Sequence, residues 1–599
     1  MQTPRSSPAR LTATATIKLP RLALFLMALV YAIPGLLGRD PWKPDDASSF
    51  GVMWTMANGT ASDWLMPNIA GAPVFDGGPL MYWLGAIAIK LGALIGVEAP
   101  LAARAATLLM VLTATTGLWY ATYLLGRGPA AQPLALAFGG QPAPKDYGRT
   151  LADGALLIML GTLGLVARAH ESSPDIAALA MLCAAAYALA RGLDQPAVAA
   201  VWMAGAVSGL FLTRGPWIAL LVVLVYLALI AFHPDWRKNR IPAATIVVPA
   251  AAILIGLWPA AVIRTGDAGQ DYFSAWMHYW LQLVQGHSFE SLRREFKALA
   301  WFALPAWPIA VWALWSWRKV WYAPHVVVPT LLLLAMLINL LASNLDVDWL
   351  LLLLLPGIVM LAAIGLPTLK RGAANALDWF SLLIYSLTAL VLWLSWLTRM
   401  TNFPEAWAGS LQRQVPGLPS EFHLGPLIGA LLVSGAWVWL VRWRVVEHPK
   451  ALWRSVVLAS GGVTLIWTLL TTLLVNEVNY SRTYRAVARQ MGDVLATNPA
   501  GANACVGTEN LGLAQRASFA YFANVHFAPT NVNGEQQERC SLILRQDSIH
   551  GSLHDTDAHI KAWRLLWEGR RPSDHDERFR LYLDGPLQSH AKTRSGGQP

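Results

Sequence analysis

Charge is scarce in this 599-residue chain. Asp, Glu, Lys and Arg together make up 13% of it, about half the ~25% usual in globular domains. That deficit excludes a disordered tail protein, a coiled coil and most soluble enzymes. Cysteine is scarcer still, at three residues, which excludes a disulfide-dense secreted scaffold. There is no glycine-rich phosphate loop of the nucleotide-hydrolase type, and few charges fall inside apolar runs. No paired halves of the inverted-repeat kind stand out, so a pump or channel finds little support. What is abundant is apolar surface: 55% of residues are hydrophobic. They lie in runs too long and too frequent for soluble domains, which leaves a mainly α, polytopic membrane protein.

The net charge of +10 would suggest nucleic acid in a soluble protein. Here the basic residues sit mostly in short loops between apolar runs, so no nucleic-acid partner is expected. Many of the 29 Trp lie at the ends of runs, where their rings suit the headgroup layer. Apolar runs fall at 22–38, 104–126, 151–169, 175–192, 197–214, 216–233, 241–263, 298–317, 324–342, 349–368, 377–397, 425–442 and 453–475. At ~20 residues per crossing they predict about thirteen transmembrane helices. With the N-terminus inside, the inner loops hold Arg127, Arg191, Arg237, Lys238, Arg318, Lys319, Lys370 and Arg371. The outer loops hold Asp40, Asp45, Asp46, Asp63, Asp76, Glu171 and Asp175. This asymmetry obeys the positive-inside rule and predicts a cytoplasmic N-terminus with the C-terminal tail across the membrane. The short basic N-terminus and the lack of eukaryotic retention signals point to a bacterial inner membrane.

Two outer segments are large. The loop 39–103 contains helix-like stretches at 47–58 and 79–96, read as juxtamembrane helices lying in the interface. The tail, 476–599, shifts to soluble composition. A helix over 479–496, strands at 505–508 and 541–544 and a helix near 511–523 predict a small α/β soluble domain beyond a transmembrane domain of 1–475. Cys505 and Cys540 share that tail. In an oxidising compartment they form a disulfide; otherwise they are two unpaired thiols.

Carboxylates beside a bilayer are costly unless they face water, a partner or a substrate. Two places stand out. Trp42-Lys43-Pro44-Asp45-Asp46 puts paired carboxylates after a turn-forming proline, just beyond the first run. His170-Glu171-Ser172-Ser173-Pro174-Asp175 is a short outer connection whose Asp175 opens the next helix. Asp175 can cap backbone N–H groups there, or face a cavity. His170 with Glu171 supplies only two candidate ligands, and no metal site is assigned. Arg214 ends a run at the outer boundary, where it snorkels to headgroups or holds an anion such as a lipid phosphate. The tail cluster His550, His554, Asp555, Asp557 and His559 matches no standard zinc spacing and is read as a solvated loop.

The first outer loop resembles a known family. It carries Pro44-Asp45-Asp46, Met56, Asp63-Trp64-Leu65-Met66-Pro67, Gly71, Phe75-Asp76-Gly77-Gly78-Pro79-Leu80 and Tyr82-Trp83. The pattern is similar to that of the C-type membrane glycosyltransferases, in particular the lipid A aminoarabinose transferase and its relatives, the protein O-mannosyltransferases among them. The resemblance extends to Asp175 and to Arg214-Gly215-Pro216, where relatives often have Lys-Gly. It implies transfer of a sugar from a polyprenyl-phosphate donor to a lipid A-like lipid, glycan or protein acceptor on the outer face, with no cofactor beyond the donor. By position, Asp45 resembles the first-loop aspartate that acts on the acceptor, Asp46 stands where relatives have Glu, and Asp175 resembles the second acidic position. Gly77 occupies the place of a lysine that holds the lipid phosphate. Arg214 and Arg264 are the replacements expected for that cation, with Glu171 and His170 beside the substrate. The alternative is a glycolipid-binding or flipping protein of the same fold. Asp45, Asp175 and a cation gathered around one cavity favour the enzyme; dispersed side chains favour the alternative.

Overall fold

The computed structural model describes residues 7–135, 140–282, 289–343, 349–447, 451–498, 505–548, 563–571, 573–574 and 576–583. Six α-helices begin on proline: Pro79–Leu94, Pro144–Leu160, Pro174–Arg191, Pro196–Arg214, Pro216–Phe232 and Pro324–Ala342. Proline presets a helical φ, and the N–H it lacks is one that a first turn leaves unbonded anyway. Among the described residues nine helices are long and apolar enough to cross a membrane. They become ten if Leu292–Phe302 and Ala306–Val320, bent by 95°, count as one span. The runs at 22–38, 151–169 and 216–233 are helical but shorter, as Arg21–Ala32, Pro144–Leu160 followed by Leu163–Arg168, and Pro216–Phe232. At ~1.5 Å per residue none of these reaches the ~30 Å of a bilayer core alone. The difference from about thirteen lies in those short helices.

Trp349–Gly365 sits at the centre. It is apolar all round and buried over its whole length, as a helix enclosed by others must be. Arg371–Thr401 and Leu424–Val446 are somewhat less apolar but still long and apolar enough to span, and most of their surface is exposed. Large exposed apolar faces on helices of this length are the mark of a lipid-facing layer.

The first loop forms a helix at Asp45–Asn58 and a minimal hairpin, β1 (Asn68–Ile69) with β2 (Ala72–Pro73). The C-terminal unit is a four-stranded sheet of β3 (Val506–Glu509), β4 (Leu542–Ser548), β5 (Arg564–Gly569) and β6 (Glu577–Leu583), in the order β3-β4-β6-β5. β3 and β4 run parallel, and the other pairs are antiparallel. Helices Arg485–Thr497 and Leu513–Phe522 pack on it around Tyr484, Met491, Phe519, Leu542 and Phe579. Cys505 and Cys540 are joined by a disulfide. The predicted helix 479–496 is broken at Thr483–Tyr484. The tail histidine cluster at 550–559 lies outside the described residues.

This unit is docked on the first loop. Tyr521 packs its ring against Phe50 and Trp54, at 4.9 and 5.0 Å. The buried Arg516 donates to the carbonyls of Ile69 (3.0 Å), Ala70 (2.7 Å) and Ala528 (2.7 Å). One guanidinium thereby ties the first loop's hairpin to the tail.

Candidate active site

Asp45 and Asp46 open the helix Asp45–Asn58. Neighbouring helical residues point roughly 100° apart, so adjacent carboxylates are sent to different places. Asp45 faces a cleft, with 41% of its side chain exposed, and its Oδ2 accepts from Arg168 Nη1 at 2.6 Å. Asp46 turns inward and is 2% exposed. Its Oδ2 accepts from Arg39 Nη2 (2.9 Å) and the Trp42 N–H (3.1 Å), and its Oδ1 from the Ser172 N–H (2.8 Å). Asp46 therefore pins the first loop to the 170–173 turn, and its oxygens face away from the cleft.

That turn supplies the second wall. Arg168 ends the helix Leu163–Arg168. Besides Asp45 it reaches Glu171 Oε2 at 3.1 Å and Asp175 Oδ2 at 3.9 Å. Asp175 is buried in the first turn of Pro174–Arg191, where the positive helix end favours its charge. The third wall is the end of Pro196–Arg214. Arg214 donates to Asp175 Oδ1 through Nε at 2.7 Å and again through Nη2. It donates to the carbonyl of Asp76 through Nη1 at 2.5 Å and lies over the Trp349 ring at 4.7 Å. The first loop approaches this helix end closely: the Gly78 N–H donates to Thr213 O at 2.8 Å. A Cβ at Gly78 would sit 2.3 Å from Leu212 O. Leu513, from the tail, completes the lining.

Four carboxyl groups, Asp45, Asp76, Glu171 and Asp175, thus share two guanidinium groups. Burial, only partly offset by Arg168 and reinforced by Asp46 and Asp45, pushes Glu171 up to about 7. Asp76 opens onto the cleft but is ringed by protein. That enclosure raises its carboxyl above the usual range, against the pull of Arg214. Both shifts relieve the surplus of negative charge.

The structure brings Asp45, Asp175, Arg214 and Glu171 together, and separates three other expected residues from the cleft. His170, expected beside the substrate, is 0% exposed. Its Nε2 contacts Tyr31 O (2.9 Å), its Nδ1 contacts Val166 O (2.5 Å), and its ring packs on Tyr31 and Trp467. Both nitrogens are turned toward backbone carbonyls inside the protein, so the ring does not face the cleft. Arg264, expected to replace the family lysine, is exposed beyond Ile263 and makes no ion pair among the described residues. Asp46, expected to act in catalysis, is the buried staple described above. Arg168 and Asp76 enter the site without having been assigned a role from sequence. Arg168 falls inside the apolar run 151–169, and its one signal was being a lone basic residue two positions before the acidic turn. Gly77 also finds a reason. A Cβ there would lie 2.7 Å from Tyr82 Oη and 2.9 Å from Pro174 Cγ, so the lysine of the family pattern has no room.

No protein-family model matches the chain, and no curated protein matches it. Solved structures do. ArnT from Cupriavidus metallidurans bound to undecaprenyl phosphate aligns with a TM-score of 0.64 and 14% identity, over 96% of this chain and 99% of that one. The same ArnT in the apo state aligns with a TM-score of 0.61 and 14% identity, over 94% and 97%. The apo oligosaccharyltransferase of Archaeoglobus fulgidus gives a TM-score of 0.42 and 10% identity, over 84% of this chain and 64% of that one. The chain has the fold of ArnT over nearly its whole length, with its apolar helices followed by a small C-terminal sheet unit.

Proposed function

We propose that this chain is a membrane glycosyltransferase that moves a sugar from a polyprenyl-phosphate donor to a lipid, glycan or protein acceptor. One observation carries the reading: Asp45 and Asp175, far apart in sequence, meet on one cation, Arg168, beside the cleft that Asp45 and Arg214 line. The undecaprenyl phosphate held by ArnT supports a polyprenyl-phosphate lipid as the donor for a chain of the same fold. In this reading the acceptor oxygen attacks the anomeric carbon and its proton passes to Asp45. The bond from that carbon to the phosphate oxygen breaks, and the lipid phosphate leaves with the electron pair. Asp45 is the general base because it has a cleft-facing carboxylate within hydrogen-bond reach of a bound hydroxyl. Arg168 and Arg214 oppose the charge that develops on the leaving phosphate, so no metal or cofactor is required. Glu171 binds substrate through Arg168's neighbourhood, and Asp46 is a positioning residue. The proposal places the cleft on the outer face of a bacterial inner membrane, with residues 1–475 in and around the bilayer and 476–599 in the periplasm.

The test is a transfer assay in detergent or liposomes. Purified protein receives a panel of polyprenyl-phosphate sugars and acceptors, and release of lipid phosphate is followed. Release that disappears in folded Asp45→Asn supports the reading. No release across the panel from folded protein moves the weight to binding or flipping of a glycolipid, and full activity in Asp45→Asn removes Asp45 from the mechanism.

A further inference from the structure

The C-terminal unit meets the first loop, at Asp40, in a second concave place that shares no lining residue with the cleft. It is a cavity of about 290 Å³, lined by Arg485, Arg489 and Arg571 together with Asp40, Glu421 and Thr483. We propose that it binds the phosphate of an anionic lipid headgroup. The inference does not depend on sugar transfer.

Its three arginines are unequally satisfied. Arg571 is 3% exposed. It donates to Ser481 O at 2.7 Å and pairs with Asp574 and Glu577, yet its Nε is buried with no hydrogen-bond partner. Arg485 pairs with Asp40 and stands over the Phe522 ring at 5.1 Å, and its Nε is likewise buried and unpartnered. Arg489 is exposed and makes no ion pair among the described residues. A buried N–H without an acceptor is unfavourable, and two of the three arginines that line this one cavity carry such a group, beside the exposed guanidinium of the third. The two carboxylates in the lining do not meet that demand. Asp40 is held by Arg485, and Glu421 faces His423 at 3.3 Å. Phosphate, with several acceptor oxygens and up to two charges, matches guanidinium donors arranged in this way.

The rim points to a lipid rather than a free ion. Glu421 is followed by the exposed Phe422 and Leu424, where the lipid-facing helix Leu424–Val446 begins. A lipid whose chains lie along that helix brings its phosphate to the level of the arginines.

The test uses the full chain in detergent, with dioctanoyl phosphatidic acid and inorganic phosphate as probes and binding read by native mass spectrometry. Arg489→Glu is the main variant, because an exposed, unpaired side chain leaves the fold intact. Arg371→Glu, at the exposed start of the helix Arg371–Thr401, is the control for general charge. The expected result is saturable binding of phosphatidic acid, weakened about tenfold or more by Arg489→Glu and unchanged by Arg371→Glu. Phosphatidic acid should also bind at least about tenfold more tightly than inorganic phosphate. Equal affinity for the two probes overturns the lipid source. Absence of saturable binding, or the same affinity in Arg489→Glu as in the wild type, overturns the site.

Discussion

Replacing Asp46 by Asn should cost stability before it costs chemistry, and replacing Asp45 by Asn should do the reverse. The two side chains are adjacent, similar in reach and identical in charge, so the contrast tests their surroundings alone. Asp46 accepts from three donors, the Arg39 guanidinium and the Trp42 and Ser172 N–H groups, using both oxygens. An amide has one oxygen, and its NH2 would face donors. It also leaves Arg39, fully buried, without its closest counter-charge. Removing one partner of a buried pair costs roughly 3–5 kcal/mol. Asp45 loses a contact to Arg168 at a partly exposed position, for which about 0–1 kcal/mol is the measured range. The assay is thermal unfolding followed by tryptophan fluorescence in one detergent, run beside the lipid-phosphate release assay. The expected outcome is a clear loss of melting temperature in Asp46→Asn, with near-wild-type melting and no transfer in Asp45→Asn. If Asp46→Asn melts with the wild type, the staple is not holding the loop. If Asp45→Asn melts far below it, the cleft-facing carboxylate is structural.

Three other outcomes follow from the geometry. Glu171 is raised from its ordinary 4.5 to about 7 by burial, so the folded state holds its proton more firmly than the unfolded chain. The stability it contributes is full below about 4.5 and is lost as pH rises through 7; the fall in melting temperature between pH 5 and 7 should be shallower in Glu171→Gln. Gly77→Lys, which introduces the lysine of the pattern that the first loop resembles, should destabilise rather than activate. Its Cβ meets Tyr82 Oη and the Pro174 ring below 3.0 Å, and such overpacking costs about 1–3 kcal/mol, readable as lower melting temperature and no gain in release. The disulfide spans 35 residues, for which chain entropy gives about 4 kcal/mol. Cys540→Ser should therefore open the C-terminal unit to protease while leaving the helices Trp349–Gly365 and Pro174–Arg191 protected.

The helices were legible because apolar runs of that length have few alternatives, and the first loop because its motif residues resemble a known pattern in type and spacing. Asp175 and Arg214 were legible one at a time, each as a charge at a boundary where charge is unfavourable. Their pairing was not, because it depends on two helix ends meeting. Arg168 was hidden inside a run read as 151–169. The chain breaks that run at Gly161–Thr162, and the short helix after the break carries the arginine to the cleft. The different fates of Asp45 and Asp46 come from a helix start placed at Asp45, within the two-residue error of any reading from sequence. β6 escaped notice because Arg578 and Arg580 alternate with Phe579 and Leu581, the pattern of a sheet with one solvated face, in a stretch rich in charge.

The tail helix Leu513–Phe522 fastens the first loop through Arg516 and Tyr521, and its Leu513 borders the cleft. This sets an order in time. A ribosome makes the loop early and its fastener more than four hundred residues later. Until the tail has been delivered to the loop's side of the membrane and folded there, the cleft lacks both a clamp and part of its lining. It follows that insertion of the helices alone does not produce a finished site. Completion waits on a segment synthesised long after the loop, so chains stalled or cut before Leu513 carry their carboxylates on an unfastened loop.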